Sequence, residues 1–428
     1  MRAFLLFLLV AASLFSTPLT LETCVEIALD CNPAARAAKE GVKISCHEVG
    51  KAKAAFYPIL DASASYARWQ TFAFIPNQLR GVPQFMFDRY GPFNDYRIAL
   101  KGSYLIYDSG ARQAELRAML AKREVAFAEE EKLQQEIALN VTTAFYSLAG
   151  NLELLEVNGK KLARAKKNLA ITEKRKKVGA APAMDVYRSK VGVAEARQEL
   201  TKVRGVVRIA KGNLNTSMGL APNLEIEIAS QEHSFFSPER INLDNCLAIG
   251  LQNRPEMRAS QLQMSALCQK IKKVKSEYGP QIAFEGSYGA RDEEFFPNTR
   301  EFYAGVGVRW NLFNGFYTTH SLREAKSRYA YRQNQHDQLA LAIQQEIWRA
   351  YSQMTESWEM IQTTLAQVED AQEGYRMAED RYENGSATIN DLLDSETALA
   401  KAEAMHVEAR WNYRIAETAF AWTQGLIR

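Results

Sequence analysis

The stretch that decides the fold occurs twice in the chain, and each copy is centred on a glycine. Tyr382–Glu396 reads YENGSATINDLLDSE, and Lys176–Lys190 reads KKVGAAPAMDVYRSK, so that Gly385 corresponds to Gly179. Both stretches interrupt long, charged, helix-favouring runs, and the helical pattern resumes directly afterwards. Because a glycine just past the last helical residue commonly ends a helix, each copy predicts a helix that reverses direction and returns as a second helix.

A tandem duplication organises the whole chain around these turns. Leu21–Pro33 aligns with Leu243–Pro255 at a shift of 222 residues, whereas the later segments, including the glycine turns, align at a shift of 206. The first copy therefore carries 16 additional residues, which fall between Tyr66 and Tyr96 in a stretch rich in proline, glycine and aromatic residues. That composition predicts an extended surface loop.

The N-terminus indicates export. Met1 and Arg2 precede the apolar run AFLLFLLVAASLF, whose 13 residues are fewer than the roughly 20 that a bilayer-spanning helix needs. We interpret residues 1–17 as a signal peptide, against the alternative of a buried N-terminal helix. The predicted domains are then a first repeat over 18–220, a linker over 221–242 and a second repeat over 243–428.

Two pairs of alternating segments predict four β-strands, at about 59–69, 95–107, 281–291 and 300–313. In the second strand Ile98, Leu100 and Tyr104 share one face, while Arg97 and Lys101 share the other. A period of two over about ten residues is typical of a strand. A half-buried sheet in a soluble protein would show the same alternation, but strands of this length with aromatic ends also suit a membrane-spanning β-barrel.

A long proline-free run follows each strand pair. In the first repeat residues 111–176 favour helix, and apolar residues recur every seven positions in both repeats: Val141, Leu148, Leu155, Leu162 and Leu169, then Ile347, Met354, Ile361, Val368, Tyr375 and Tyr382. Sustained heptads predict coiled-coil packing of helices roughly 100 Å long. Since four strands alone leave open edges that a bilayer does not tolerate, we expect several copies of the chain to close one barrel.

Composition argues against several function classes. The 53 basic and 50 acidic residues are interspersed and give a net charge of +3, so nucleic acid is not an expected partner. No Cys-x-x-Cys motif or histidine cluster occurs, so neither a metal site nor another cofactor is predicted. Cys24 and Cys46 recur as Cys246 and Cys268 at the same interval, which leaves open two duplicated disulfides or small core-filling side chains.

Several motifs in this duplicated order carry a resemblance to a known family. They are TLETCVEIALDCNP from Thr20, YLIYDSG at Tyr104–Gly110, GVRWNLFNG at Gly307–Gly315, and the two glycine turns. The chain resembles a TolC-type outer-membrane efflux protein over essentially its whole mature length. Each motif alone is weak evidence, but their combination in this order is specific.

The resemblance implies an α+β fold that combines tandem-duplicated strand hairpins with very long coiled-coil helical hairpins. A homotrimer would form one β-barrel, four strands per protomer, in the outer membrane of a Gram-negative bacterium, continued by a periplasmic α-helical tube. The implied function is a passive exit duct of a tripartite efflux or type I secretion system. Its implied partners are a periplasmic adaptor (membrane fusion) protein, an inner-membrane pump of RND or ABC type, and outer-membrane lipid.

The same resemblance implies where a gate would lie. Asp391 and Asp394 match the family's constricting acidic ring, and Tyr382 and Asp185 match its gate partners. The family's latching arginine falls on an alanine here, so we hypothesise that Arg188 supplies the latch. The adaptor-contacting tips would be Val178, Gly179, Ala180, Ala181, Asn384, Gly385, Ser386 and Ala387.

Other readings of these residues stay open at this point. The sequence from Thr388 to Asp391 is also a capping box, in which the carboxylate stabilises the start of a helix. Instead of a channel, the chain would be a secreted, soluble coiled-coil structural or adaptor protein if its strands formed an ordinary hairpin sheet. An enzyme using Asp391 and Asp394 as paired carboxylates is disfavoured, because no histidine or nucleophile lies near them in the sequence.

Overall fold

The computed structural model describes residues 18–72, 89–229, 235, 237–238 and 241–426. The predicted signal peptide, residues 73–88 of the predicted loop and parts of the predicted linker lie outside the described residues. Within the described ranges no helix is both long and apolar enough to cross a bilayer.

Within the part of the chain that the structure describes, eight helices and four strands follow one another in the order that the duplication predicts. The first repeat contains α1 (Leu21–Cys31), α2 (Pro33–Ala54), β1 (Ile59–Phe72), β2 (Arg89–Tyr107), α3 (Ala111–Lys177) and α4 (Ala183–Ser217). The second contains α5 (Leu243–Asn253), α6 (Pro255–Ser276), β3 (Gln281–Asp292), β4 (Arg300–Arg309), α7 (Tyr317–Glu383) and α8 (Ile389–Thr423). The predicted fold class is confirmed.

Helix lengths are identical in the two repeats. The paired helices α1 and α5 each have 11 residues, α2 and α6 have 22, α3 and α7 have 67, and α4 and α8 have 35. The starts of α1 and α5 are capped in the same way. The side-chain oxygens of Thr20 and Asn242 accept hydrogen bonds from the backbone N–H of the third residue of each helix, Thr23 and Asn245. The duplication thus extends from sequence pattern to local stereochemistry.

The four strands form one antiparallel sheet in the order β1-β2-β3-β4. The predicted alternation is observed, and its apolar face is exposed in the single chain: Leu60, Tyr66, Ile98, Leu100, Tyr104, Phe284, Tyr288, Phe302, Val306 and Val308. The opposite face is polar and includes an ion pair between Arg97 of β2 and Glu301 of β4, 2.9 Å apart. On β3, Arg291 is paired with Arg97 and Gly289 is paired with Glu301, and the glycine has no side chain to obstruct this contact.

The fourth strand is shorter than predicted. It ends at Arg309 rather than near residue 313, because Arg309 pairs with Gln281, the first residue of β3, and later residues have no strand opposite them. Trp310 instead donates its indole N–H to the carbonyl of Tyr278, at 2.9 Å. The second strand begins earlier than expected, at Arg89, because β1 continues to Phe72 and remains paired with it.

The chain divides into two compact units, each containing segments of both repeats. One comprises residues 1–42, 126–260 and 336–428, and the other comprises 43–125 and 261–335. The first unit holds two equivalent apolar cores, in which Val141, Leu148 and Leu214 of the first repeat correspond to Ile347, Met354 and Phe420 of the second. The predicted repeats, 18–220 and 243–428, therefore describe the duplication in the sequence and do not coincide with these compact units.

The heptad prediction is right for α7, except that Val368 is half-buried, but it is only partly right for α3. Along α3, Leu155, Leu162 and Leu169 are only half-buried, whereas Asn158, Ala165 and Thr172, also seven residues apart, are buried. The reason is that this part of α3 packs against the second helical hairpin as well as α4, through contacts such as Arg164 with Glu403 of α8. A different face of the helix is therefore turned inward.

All five cysteines are free thiols. Cys24 and Cys246 are buried in the two equivalent cores, as core-filling residues would be. Burial raises the pKa of the Cys24 thiol to about 12. Cys46 and Cys268 are exposed, so they do not fill a core, and neither is part of a disulfide in this chain.

Candidate functional site

Both glycine turns are Schellman motifs with the same hydrogen bonds. In the first, the N–H of Gly179 donates to the carbonyl of Lys176 at 3.0 Å, and the N–H of Ala180 donates to that of Arg175 at 2.8 Å. In the second, Gly385 and Ser386 make the equivalent bonds, at 3.1 and 2.8 Å. The glycines have φ angles of +76° and +80°, in the left-handed region that favours glycine.

The predicted tip residues are presented at these two turns. Val178, next to the first glycine, is 79 % exposed although it is apolar. Asn384, Ser386 and Ala180 are exposed as well, whereas Ala181 and Ala387 are half-buried.

Arg175 joins the two turns, and the sequence patterns did not single it out. Its guanidinium donates to the carbonyl of Ala180 in the first turn at 3.2 Å, and to the carbonyl of Tyr382 at the second. It also lies over the Tyr382 ring, 4.4 Å from the centroid. The sequence shows only a run of four basic residues in the last turn of α3, and nothing in that run distinguishes Arg175 from its three neighbours.

Asp391 forms the predicted capping box. Its Oδ2 accepts hydrogen bonds from the backbone N–H and the hydroxyl of Thr388, both at 2.8 Å, while its own N–H donates to Thr388 Oγ1 at 3.3 Å. The two bonds that Asp391 accepts lower the pKa of its exposed carboxyl below its usual range, and the bond from the backbone N–H has the larger effect. Asp391 therefore carries a negative charge at neutral pH whether or not it has a second role.

Asp394 lies one helical turn further along α8, beyond the cap. It is exposed and lines a groove together with Arg188 and Leu393. Arg188 donates to the side-chain oxygen of Asn390 at 2.8 Å, and no ion pair joins it to either aspartate within the described part of this single chain. The latch role of Arg188 remains a prediction.

Tyr382 and Asp185 have different surroundings from one another. Tyr382 is 1 % exposed and packs in a core at the end of the second hairpin with Tyr375, Ile389, Leu392 and Leu399. Its hydroxyl is buried and has no hydrogen-bond partner in the described structure. Asp185 is half-buried in the first turn of α4, where a carboxylate interacts favourably with the helix dipole.

No group of three or more cysteine, histidine or acidic side chains suited to a metal ion occurs among the described residues. The chemistry available at the turns is instead that of exposed carboxylates, ordered backbone and exposed apolar side chains. Such a set can attract cations and contact a partner protein.

Comparisons with known proteins define the class of this molecule. Its fold is similar to a solved structure described as the outer-membrane channel OprN, with a TM-score of 0.80 and 20% identity, covering 95% of this chain and 89% of that one. In sequence it is 24% identical over 396 residues to Protein CyaE of Bordetella pertussis, covering 91% of this chain and 80% of that protein. It is also 20% identical over 306 residues to the outer membrane protein TolC of Salmonella enteritidis, covering 69% and 62% of the two chains.

A family model described as outer membrane efflux protein matches residues 24–220 and 248–422. The chain therefore belongs to the outer membrane efflux protein family. The predicted family, the exit-duct function and the outer-membrane location with a periplasmic extension are confirmed. The alternative of a secreted, soluble coiled-coil protein is set aside by this membership.

Proposed function

We propose that three copies of this chain form the exit duct, and that the two glycine turns form its periplasmic end. The observation that carries this proposal is the placement of Asp391 and Asp394 on the exposed face of α8, directly after the second turn. Neither carboxylate forms an ion pair with a basic side chain among the described residues, although the charge of Arg381 helps to lower the pKa of Asp391. In a threefold assembly six such carboxylates would surround one opening and favour the passage of cations.

The wall of the barrel would be built from the strands. Each chain presents a sheet whose apolar face is exposed and whose other face is polar. Three chains would close their sheets edge to edge and turn the apolar faces toward outer-membrane lipid. This arrangement removes the unpaired edges of β1 and β4, which are otherwise costly in a membrane.

The partners of the duct would meet it at the turns. Val178 and the neighbouring tip residues form an ordered surface suited to a periplasmic adaptor protein, which in turn would connect the duct to an inner-membrane pump of RND or ABC type. Arg188 would control the aspartates by exchanging its bond to Asn390 for one to Asp391 or Asp394, including those of a neighbouring copy.

The test is single-channel conductance of the purified protein in a planar bilayer. The double variant Asp391→Asn, Asp394→Asn removes both charges, and the asparagine at 391 retains an oxygen that can accept from Thr388. We expect small, cation-selective currents for the wild type and weaker cation selectivity for the variant. Glu408→Gln, an exposed change on α8 away from the turn, is the matched control.

Three results would contradict parts of the proposal. An unchanged selectivity in the double variant would leave the channel in place but reduce Asp391 to a helix cap. Failure of the wild-type protein to conduct at all would reject the duct itself. For the latch, Arg188→Ala should raise the resting conductance, and an unchanged value would remove Arg188 from the gate.

A further inference from the structure

The two helical hairpins of one chain end in surfaces of opposite charge. The 18 residues Glu173–Lys190, around the first turn, include six basic and two acidic residues, whereas the repeat-related residues Glu379–Glu396 include one basic and six acidic ones. Basic residues of the first hairpin correspond to acidic residues of the second at four positions: Lys174 and Asp380, Lys177 and Glu383, Arg188 and Asp394, Lys190 and Glu396. The duplicated turns thus differ in charge although their backbone hydrogen bonds are the same.

The lysines at the first turn are available to a partner. Lys174, Lys176 and Lys177 are exposed, and none of their ammonium groups forms an ion pair or hydrogen bond with another described residue. Arg175, between them, already donates to two backbone carbonyls. Because successive helical residues lie about 100° apart around the axis, the three lysines point to other sides of α3 than Arg175 does. A structure beside the hairpin would reach only some of them, whereas a partner that meets its end can contact all three.

The helix dipole does not account for these lysines. Basic side chains in the last turn of a helix are favoured by its dipole. The last turn of α3 has four of them, but the last turn of α7, a helix of the same length that ends in the same motif, has only Arg381. The second turn is therefore an internal control, and it shows that this kind of helix end forms without the three additional cations.

The two turns also differ in exposed apolar area. Val178 in the first turn and Met184 at the start of α4 are 79 % and 61 % exposed. Their repeat-related residues, Asn384 and Asn390, are polar. Contacts between proteins commonly combine an apolar part that is removed from water with a charged part that selects the partner. The first turn offers both, in a surface that we call the docking face: Lys174, Lys176, Lys177, Val178 and Met184.

We propose that the partner protein of the duct binds the docking face of the first turn through an acidic surface that also carries an apolar side chain. This inference rests on the proposed function, in which an adaptor protein meets the turns, and it names the chemistry of the adaptor's contacting surface. The acidic second turn repels the same surface, because like charges brought together across an interface cost free energy. The two turns therefore have separate tasks: the first binds the partner, and the second attracts cations.

The first experiment identifies what contacts the docking face in cells that make the full-length chain together with its own partners. The photo-crosslinking residue benzoylphenylalanine replaces Val178 in one variant and the repeat-related Asn384 in another. After irradiation, mass spectrometry gives the sequence of the attached peptide. We expect a peptide of another protein that contains more aspartate and glutamate than lysine and arginine. Its yield should be about fivefold or more higher from position 178 than from position 384, where like charges oppose the contact.

Charge variants then test the recognition of acidic groups. Replacing Lys174, Lys176 and Lys177 together by glutamate reverses the charge of the docking face, and replacing them by glutamine removes it. Because one exposed ion pair changes binding by up to about fivefold, the glutamate variant should lower crosslinking from position 178 about tenfold or more, and the glutamine variant should lower it less. The matched control, Asp380→Lys with Glu383→Lys, reverses two exposed charges at the second turn. It should leave crosslinking from position 178 at the wild-type level.

Several outcomes would overturn the inference. They are a captured peptide that is basic or neutral, attachment only to lipid or to a second copy of the chain, equal yields from positions 178 and 384, and undiminished crosslinking in the glutamate variant. Should the glutamate variant not reach the outer membrane, the glutamine variant decides, and a wild-type yield from it overturns the inference.

The proposed function fails separately from this inference. A wild type that crosslinks to an acidic peptide yet never conducts in a planar bilayer would reject the duct and leave the docking face standing. A conducting, cation-selective protein that crosslinks to a basic peptide would reject the acidic partner alone.

Discussion

The glycine turns allow a quantitative test of why the chain reverses where it does. Gly179 and Gly385 have nearly the same left-handed backbone, with φ of +76° and +80°. A Cβ added at Gly179 would meet nothing within 4 Å, and one at Gly385 would meet only Arg175 Nη2, at 3.4 Å. Replacement by alanine therefore adds backbone strain of about 1–2 kcal/mol and little else at either turn.

Hydrogen exchange measures that strain locally. A cost of about 1–2 kcal/mol should speed the opening of each turn by roughly 5–30-fold, seen in peptides covering 174–184 or 380–390. Gly→Asn at the same position should speed opening far less than Gly→Ala does, because asparagine tolerates the left-handed region better than alanine. Gly205→Ala, within α4 and with nothing within 4 Å, serves as a control that should not accelerate exchange. If alanine and asparagine accelerate exchange equally, or if neither does, the left-handed backbone is not what fixes the turns.

Three further predictions concern packing, pH and thiol reactivity. Gly250→Ala should destabilise the protein by about 1–3 kcal/mol and lower its thermal midpoint, because the added methyl group would overlap Ile347 Cδ1; a variant as stable as Gly205→Ala would contradict this. The hydrogen bonds of the cap lower the pKa of Asp391, so its stabilising effect should be present at neutral pH and lost as the pH falls below about 4. Asp391→Ala should therefore exchange faster than the wild type at neutral pH, and the two exchange rates should become equal in acid. Cys24 should react with a thiol reagent far more slowly than the exposed cysteines, since it is buried and its pKa is raised to about 12; equal rates in mass spectrometry would argue against that packing.

Much of the fold could be predicted from sequence, because its signals are local and occur twice. The glycine of each turn, the alternation in each strand and the heptads of α7 each specify structure from neighbouring residues alone. Because the chain is duplicated, each element predicted in one repeat can be compared with its counterpart in the other. Burial could not be predicted where it depends on tertiary contacts. Leu155, Leu162 and Leu169 follow the heptad, but the packing of the second hairpin buries another face of α3.

The candidate site shows the same division. The capping box of Thr388 and Asp391 was readable from residue types and spacing, because all of its bonds lie within four residues. Arg175 and Asn168 were not, since each contacts a residue about 200 positions away: Tyr382 and Tyr375. A single sequence carries no signal for such contacts beyond the presence of a polar residue in a helix. The predicted gate roles of Asp185, Tyr382 and Arg188 also depend on neighbouring chains, and they stay predictions.

The two repeats have kept the same helix lengths, but their side-chain chemistry near the turns differs. Helix lengths agree residue for residue, because helices that turn side by side and share Arg175 must end together. Side-chain chemistry near the turns differs: the second hairpin has its own apolar core around Tyr382 and Leu392, whereas the first has basic side chains and buried Asn168 and Thr172. An apolar hairpin end holds itself together, but a polar one depends on its neighbour for hydrogen-bond partners.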